Sequence, residues 1–153
     1  MLPNFLNLKS NYPTHSASKL AEELGGDWPE LIKKKEWRNT CAVRLSVAFN
    51  KSGLSVANFK EANDGSGGPL IVRVKTMGKF VKEHYGEWSW GMSKPVGSDI
   101  VDEIPKWRGI IAYHADWSDA TGHFDLWDKN TFVGTGNTAD IADGFDVMLW
   151  RLE

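Results

Sequence analysis

With a single cysteine among 153 residues, the chain can form no internal disulfide, so its folding does not depend on an oxidising compartment. Long apolar runs are also missing. None approaches the ~20 residues that cross a bilayer, which excludes a membrane-spanning helix, and no membrane partner is expected. An excess of charge is absent too: 18 Lys and Arg stand against 20 Asp and Glu, a net charge of -2. That balance lacks the basic footprint nucleic acid demands. The one basic run, Lys33-Lys34-Lys35, is flanked by Glu30 and Glu36 and reads as a solvated helix face. The first residues, Met1-Leu2-Pro3-Asn4-Phe5-Leu6-Asn7, have no basic n-region, apolar h-region or small-residue cleavage site, so a cleavable export leader is not expected.

What is present is a globular mixture, 41% apolar and 25% charged, in a length typical of one domain; residues 1–153 are expected to form a single domain. After an extended start, Ser16 is placed to cap a helix through Glu23 that Gly25-Gly26 ends, and Asp27 to cap a short helix marked by Trp28, Leu31, Ile32 and Trp37. A third helix starts near Asn39 or Thr40. From Ala42 to Phe49 it is apolar on nearly every side except at Arg44 and Ser46, the pattern of a helix buried by the rest of the fold. Asn63-Asp64-Gly65-Ser66-Gly67-Gly68 reads as a loop, and Thr76 as the cap of an amphipathic helix through Tyr85 that Gly86 stops. A further short helix fits Asp99 to Ile104. The last third turns to short β-prone segments: Trp107 to His114, Gly122 to Asp128, Thr131 to Val133 and Asp146 to Leu152. Helices first and strands afterwards imply an α+β domain, a helical layer carrying the cysteine on an antiparallel sheet.

The cysteine, Cys41, stands where polar residues give way to the apolar helix, in Arg38-Asn39-Thr40-Cys41-Ala42-Val43-Arg44-Leu45-Ser46. The unpaired N–H groups and macrodipole of a helix N-terminus favour negative charge, the charge carried by a nucleophilic thiolate and by the oxyanion of a tetrahedral intermediate. A free cysteine more commonly packs as a small hydrophobe. The second feature that favours chemistry is Gly122-His123-Phe124-Asp125-Leu126-Trp127-Asp128, an alternating segment that puts His123, Asp125 and Trp127 on one strand face. A helix-borne thiol with a distant strand histidine is the outline of a papain-like thiol hydrolase, with Cys41 as nucleophile and His123 as general base. A third polar group should orient the imidazole. Asp140 is the leading choice, Asp125 and Asn137 are alternatives, and Asp128 ends the strand.

Other uses of these residues are weaker. His15, His84, His114 and His123 are scattered, none at the i, i+4 spacing of a zinc helix, and Cys41 has no CxxC partner, so neither a metal nor another cofactor is expected. Of the eight tryptophans most should be core, while Trp88 and Trp90 lie in a loop-like stretch suited to lining a cleft. Together with Asn39 and Thr40, which could help hold the oxyanion, they are the candidate substrate contacts.

The Asn39–Ser46 and Gly122–Asp128 motifs, with the early Asn11-Tyr12-Pro13 and the helix after Val74, resemble the type VI secretion amidase effectors of family 4, small peptidoglycan hydrolases related to the NlpC/P60 cysteine peptidases. The resemblance implies a papain-like fold and cleavage of the D-glutamyl–meso-diaminopimelate amide of peptidoglycan stem peptides. It further implies synthesis in the cytoplasm, injection by the type VI secretion apparatus into a neighbour's periplasm, and a cognate immunity protein. In that family an acidic residue commonly follows the histidine by about a dozen positions; here the ungapped equivalent falls at or beside Gly134. Two rival functions fit the same residues: a housekeeping or phage-derived NlpC/P60-like endopeptidase, and a non-catalytic peptidoglycan-binding module that uses its tryptophans.

Overall fold

The structure, a computed structural model, describes residues 2–33, 40–57, 59, 70–93, 95–116 and 121–153. The expected loop at 63–68, the candidate contact Asn39, and Trp37 and Trp117 lie outside the described residues.

Helices α1 (Phe5–Asn11), α2 (Ala17–Leu24), α3 (Trp28–Lys33), α4 (Cys41–Lys51) and α5 (Val74–Tyr85) come first. Then follow β1 (Trp90–Met92), a 3-10 turn at Ser98–Glu103, β2 (Arg108–Asp116), β3 (Thr121–Asp128), β4 (Thr131–Phe132), α6 (Thr138–Ala142) and β5 (Asp146–Arg151). The five strands form one antiparallel sheet in the order β1-β5-β2-β3-β4. This is the expected α+β arrangement.

Four elements depart from the sequence reading, one being the loop-like stretch at Trp90, which is the strand β1. The start is helical: Asn4 and Asn7 form a reciprocal capping box, and Phe5 and Leu8 anchor α1 in the core. Helix α5 begins two residues before Thr76, at Val74, and Thr76 is buried inside it. The segment after Asn137, for which the sequence suggested no helix, is α6, with the Asn137 side chain accepting from Ala139 N at 2.8 Å. Elsewhere local signals hold: Ser16 caps α2 through Lys19 N, and Gly25 and Gly86 end their helices at φ 71° and 79°.

The core is divided by the pleat of β3. Phe124 and Leu126 join the larger cluster, with Leu45, Phe49 and Phe80 from α4 and α5. Trp127 faces the other way, with Ile111, Tyr113, Val147 and Leu149. All nine residues from Cys41 to Phe49 are buried. The two polar ones are satisfied by tertiary partners: the Ser46 hydroxyl accepts from Ile71 N at 2.9 Å and lies 2.8 Å from Ala42 O.

Candidate active site

Cys41 is the first residue of α4, and the Thr40 side chain before it does not cap the helix. Thr40 Oγ1 accepts instead from Arg44 Nε at 2.8 Å. The buried Arg44 also donates from Nη1 to the carbonyls of Pro13 (3.0 Å) and His15 (2.7 Å). One side chain thus fastens the segment after α1 to the first turn of α4.

His123 and Asp125 come from β3, on the face opposite Phe124 and Leu126. His123 Nε2 lies 2.8 Å from Asp125 Oδ2. Asp125 has no exposed surface, and its carboxylate takes four hydrogen bonds: Leu126 N (2.8 Å) and Gly134 N (2.7 Å) on Oδ1, His123 Nε2 (2.8 Å) and Gly136 N (2.9 Å) on Oδ2. Four partners fill the acceptor capacity of a carboxylate. Gly134 has to be glycine for this, because a β-carbon there would stand 2.9 and 3.0 Å from the two carboxylate oxygens and 2.8 Å from Tyr12 Oη.

Besides its bond to Asp125, His123 hydrogen-bonds the Cys41 side chain. Burial pulls the His123 pKa down, but hydrogen bonds to Asp125 and Cys41, together with their charges, outweigh it and raise the pKa from 6.5 to about 9. The imidazole therefore carries its proton at neutral pH, the state that stabilises a neighbouring thiolate. His123 keeps 10% of its side chain exposed, while Cys41 is buried and Asp125 is fully covered.

The sequence candidates are thus divided. Cys41, His123 and Asp125 are brought together. Asp140 is not bonded to His123: it sits in the first turn of α6, where its Oδ2 accepts from the Tyr113 hydroxyl at 3.2 Å. Asn137 spends its side chain capping α6, and its N–H donates to the same Tyr113 oxygen at 3.1 Å. Tyr113 stands opposite His123 on β2, ring centroids 5.4 Å apart. Asp128 is paired with Lys9 (2.8 Å) and Arg108 (3.1 Å), which hold its pKa below the usual carboxylate value. Trp88 and Trp90 are at the far edge of the sheet, with β5 and β2 between β1 and β3. There Trp88 meets Trp150 edge-on at 6.2 Å, under the Lys82 ammonium. Among the described residues no three His, Cys, Asp or Glu side chains gather where they could hold a metal ion, and no helix is long and apolar enough to cross a membrane.

Sequence reasoning gave no role to Arg44 or to the backbone of the turn glycines 134 and 136. Arg44 carried a usable signal, a lone charge inside an apolar helix. The Asp125 cradle carried none, because its donors are backbone groups.

Residues 37–150 match the family described as type VI secretion system (T6SS), amidase effector protein 4, Tae4. The chain belongs to the Tae4 family. It is therefore an amidase effector of type VI secretion, an antibacterial peptidoglycan hydrolase delivered to target cells. Among solved structures it is similar to the type VI effector Tae4 from Enterobacter cloacae, at 22% identity and TM-score 0.79 over 100% of this chain and 98% of that one. It is also similar to the Tae4-Tai4 effector-immunity complex from Salmonella Typhimurium, at 22% identity and TM-score 0.78 over 99% of each chain. At that identity the likeness is one of fold, the papain-like amidase fold. No match is found among curated protein sequences.

Proposed function

We propose that this Tae4 protein hydrolyses the D-glutamyl–meso-diaminopimelate amide of peptidoglycan stem peptides through a Cys41, His123 and Asp125 triad. The observation that carries the reading is a buried, fully hydrogen-bonded carboxylate on Nε2 of an imidazole that also hydrogen-bonds the Cys41 side chain. Cys41 Sγ, as thiolate, attacks the side-chain carbonyl carbon of D-glutamate, and the charge passes to the carbonyl oxygen at the α4 N-terminus. As that oxyanion collapses, the C–N bond breaks and the His123 imidazolium gives its proton to the leaving amine of diaminopimelate. His123, now neutral, takes a proton from water, the hydroxide attacks the thioester, and the carboxylate leaves with Cys41 restored. Asp125 holds the ring in the productive tautomer throughout. Thr40 acts indirectly, through Arg44.

The resemblance placed an acid at or beside residue 134. Asp125 answers for it spatially: position 134 has no side chain, and the carboxylate of Asp125 fills the volume that one would need. The reading extends to action in the target cell's periplasm, where the substrate is. It also extends to a cognate immunity protein, since solved relatives of the same fold are complexes with Tai4.

The test is digestion of diaminopimelate-type muropeptides by wild type and Cys41→Ala, with products identified by mass spectrometry. Wild type alone should release fragments cut after D-glutamate, and His123→Ala should lower the rate by several orders of magnitude. Cleavage at a different bond would overturn the substrate assignment; undiminished turnover by Cys41→Ala would overturn the mechanism.

A further inference from the structure

Helix α5 turns two kinds of residue to two sides. Met77, Phe80 and Val81 are buried in the larger core cluster, while Lys75, Lys79 and Lys82 are exposed and, at spacings of four and three, form one row on the outer side. Gly78 places no side chain between them. The row borders a groove of about 220 Å³ that the indoles of Trp88 and Trp150 also line.

The aromatic side of the groove is held in place. Trp150 donates from Nε1 to Gly86 O at 2.9 Å, and its ring meets that of Trp88 at 89°. Trp88 also lies across Gly91: a β-carbon there would stand 2.7 Å from Trp88 Nε1, so glycine is what lets the indole rest against β1. Trp88 is nevertheless 38% exposed. A large ring fixed by its neighbours and open to solvent is a preformed stacking surface.

The cations are not spent inside the protein. Lys82 pairs with the exposed Glu87 at 3.5 Å and has its ammonium 5.5 Å from the Trp88 ring centroid. Lys75 and Lys79 have no ion pair among the described residues. In a chain of net charge -2, three ammonium groups beside two indoles suit an anion that also offers an apolar face, as an acid-bearing saccharide does. The volume is below the roughly 300–1,000 Å³ of pockets that enclose a free small ligand, so the groove fits one ring of a longer chain. A membrane surface would need a broader apolar face, and the other exposed large hydrophobics, Leu2, Leu6 and Val96, lie outside the groove.

We propose that this groove is a second substrate-binding site, for the glycan strand of peptidoglycan: a sugar ring stacks on Trp88, and free carboxylates of the stem peptides on that strand pair with Lys75 and Lys79. Trp150 and Leu126 flank Ile110 in the sheet, and His123 is three residues before Leu126, which sets the groove about 14 Å from His123. The groove thus holds the polymer while the thiol acts on a stem. The inference rests on peptidoglycan being the substrate, and not on which of its amides is cut.

The experiment is cosedimentation with purified sacculi of Cys41→Ala, which binds without cutting, and of the same protein carrying Lys75→Glu with Lys79→Glu, or Trp88→Ala. Beside it stand kcat and KM of the active counterparts on sacculi and on glycan-free stem peptides. The double charge reversal should weaken sedimentation about tenfold and raise KM on sacculi to match, with kcat, and both constants on free stem peptides, unchanged. Trp88→Ala should do the same; if it fails to fold, the charge reversal, which alters only exposed side chains, carries the test. Converting the carboxylates of the sacculi to amides should erase the difference between parent and charge variant. Equal sedimentation of the two on untreated sacculi would overturn the proposal, as would a difference that survives amidation, an equal loss on free stem peptides, or binding to anionic phospholipid vesicles and not to sacculi. Sedimentation involves no cleavage, so failure of wild type to cut after D-glutamate would count against the proposed reaction and not against this site.

Discussion

Asp125 and Asp140 present the same side chain within a short stretch of sequence, and their surroundings assign them different work. Asp125 is two residues from His123 on one strand, so the pleat alone puts both on one face. Asp140 sits in the first turn of α6 and is engaged by Tyr113. Asp125→Asn is therefore expected to reduce kcat by about 10²- to 10⁴-fold, the range for loss of the orienting carboxylate in such triads, with the fold retained. Asp140→Asn should stay within about twofold. Steady-state kinetics on the two variants decide between them. The pH profile supplies a further check. The active pair needs a protonated His123, so activity should fall as pH rises through about 9. In Asp125→Asn one of the two bonds that raise this pKa loses its charge, and the alkaline limb should move to lower pH.

Two features at the scale of elements make the site possible. The first is the start of α4. Its position was legible from the polar-to-apolar change at Thr40-Cys41, but the partner that engages the Thr40 hydroxyl was not, because Arg44 also reaches back across the chain to Pro13 and His15. Arg44→Met should cost about 2–4 kcal/mol, measured by urea unfolding, since it strands two part-buried carbonyls and the buried Thr40 hydroxyl. The second is the turn after β4, whose backbone N–H groups at 134 and 136 hold Asp125. Gly134→Ala would set a methyl group 2.8 to 3.0 Å from Tyr12 Oη and both Asp125 oxygens, so the carboxylate or the turn must shift. The expected outcome is a loss of about 1–3 kcal/mol together with a drop in kcat, whereas a merely crowded surface turn would show neither. Elements α1, α6 and β1 escaped the sequence reading for a common reason. They are short, and packing rather than propensity sustains them.

For the molecule as a whole, the buried charges link stability to pH. The His123 pKa is raised on folding, from 6.5 to about 9, so the stability it contributes is complete below about pH 6.5 and is lost as pH rises through 9. The melting temperature should decline across that window, and the decline should be shallower in Asp125→Asn; a wild-type curve flat from pH 6.5 to 9 would contradict the linkage. The residues of the chain settle a good deal unaided: an α+β domain with helices before strands, a thiol at the start of a buried helix, and a histidine and an aspartate on one face of a strand. Those are consequences of period, capping and composition, which act over a few residues. Tertiary structure alone decided that Asp125 and not Asp140 meets His123, and that Trp88 and Trp90 stand at the far sheet edge. Such choices depend on which backbone groups and hydroxyls converge on a buried charge from distant parts of the chain. No local pattern encodes that convergence; the fold creates it.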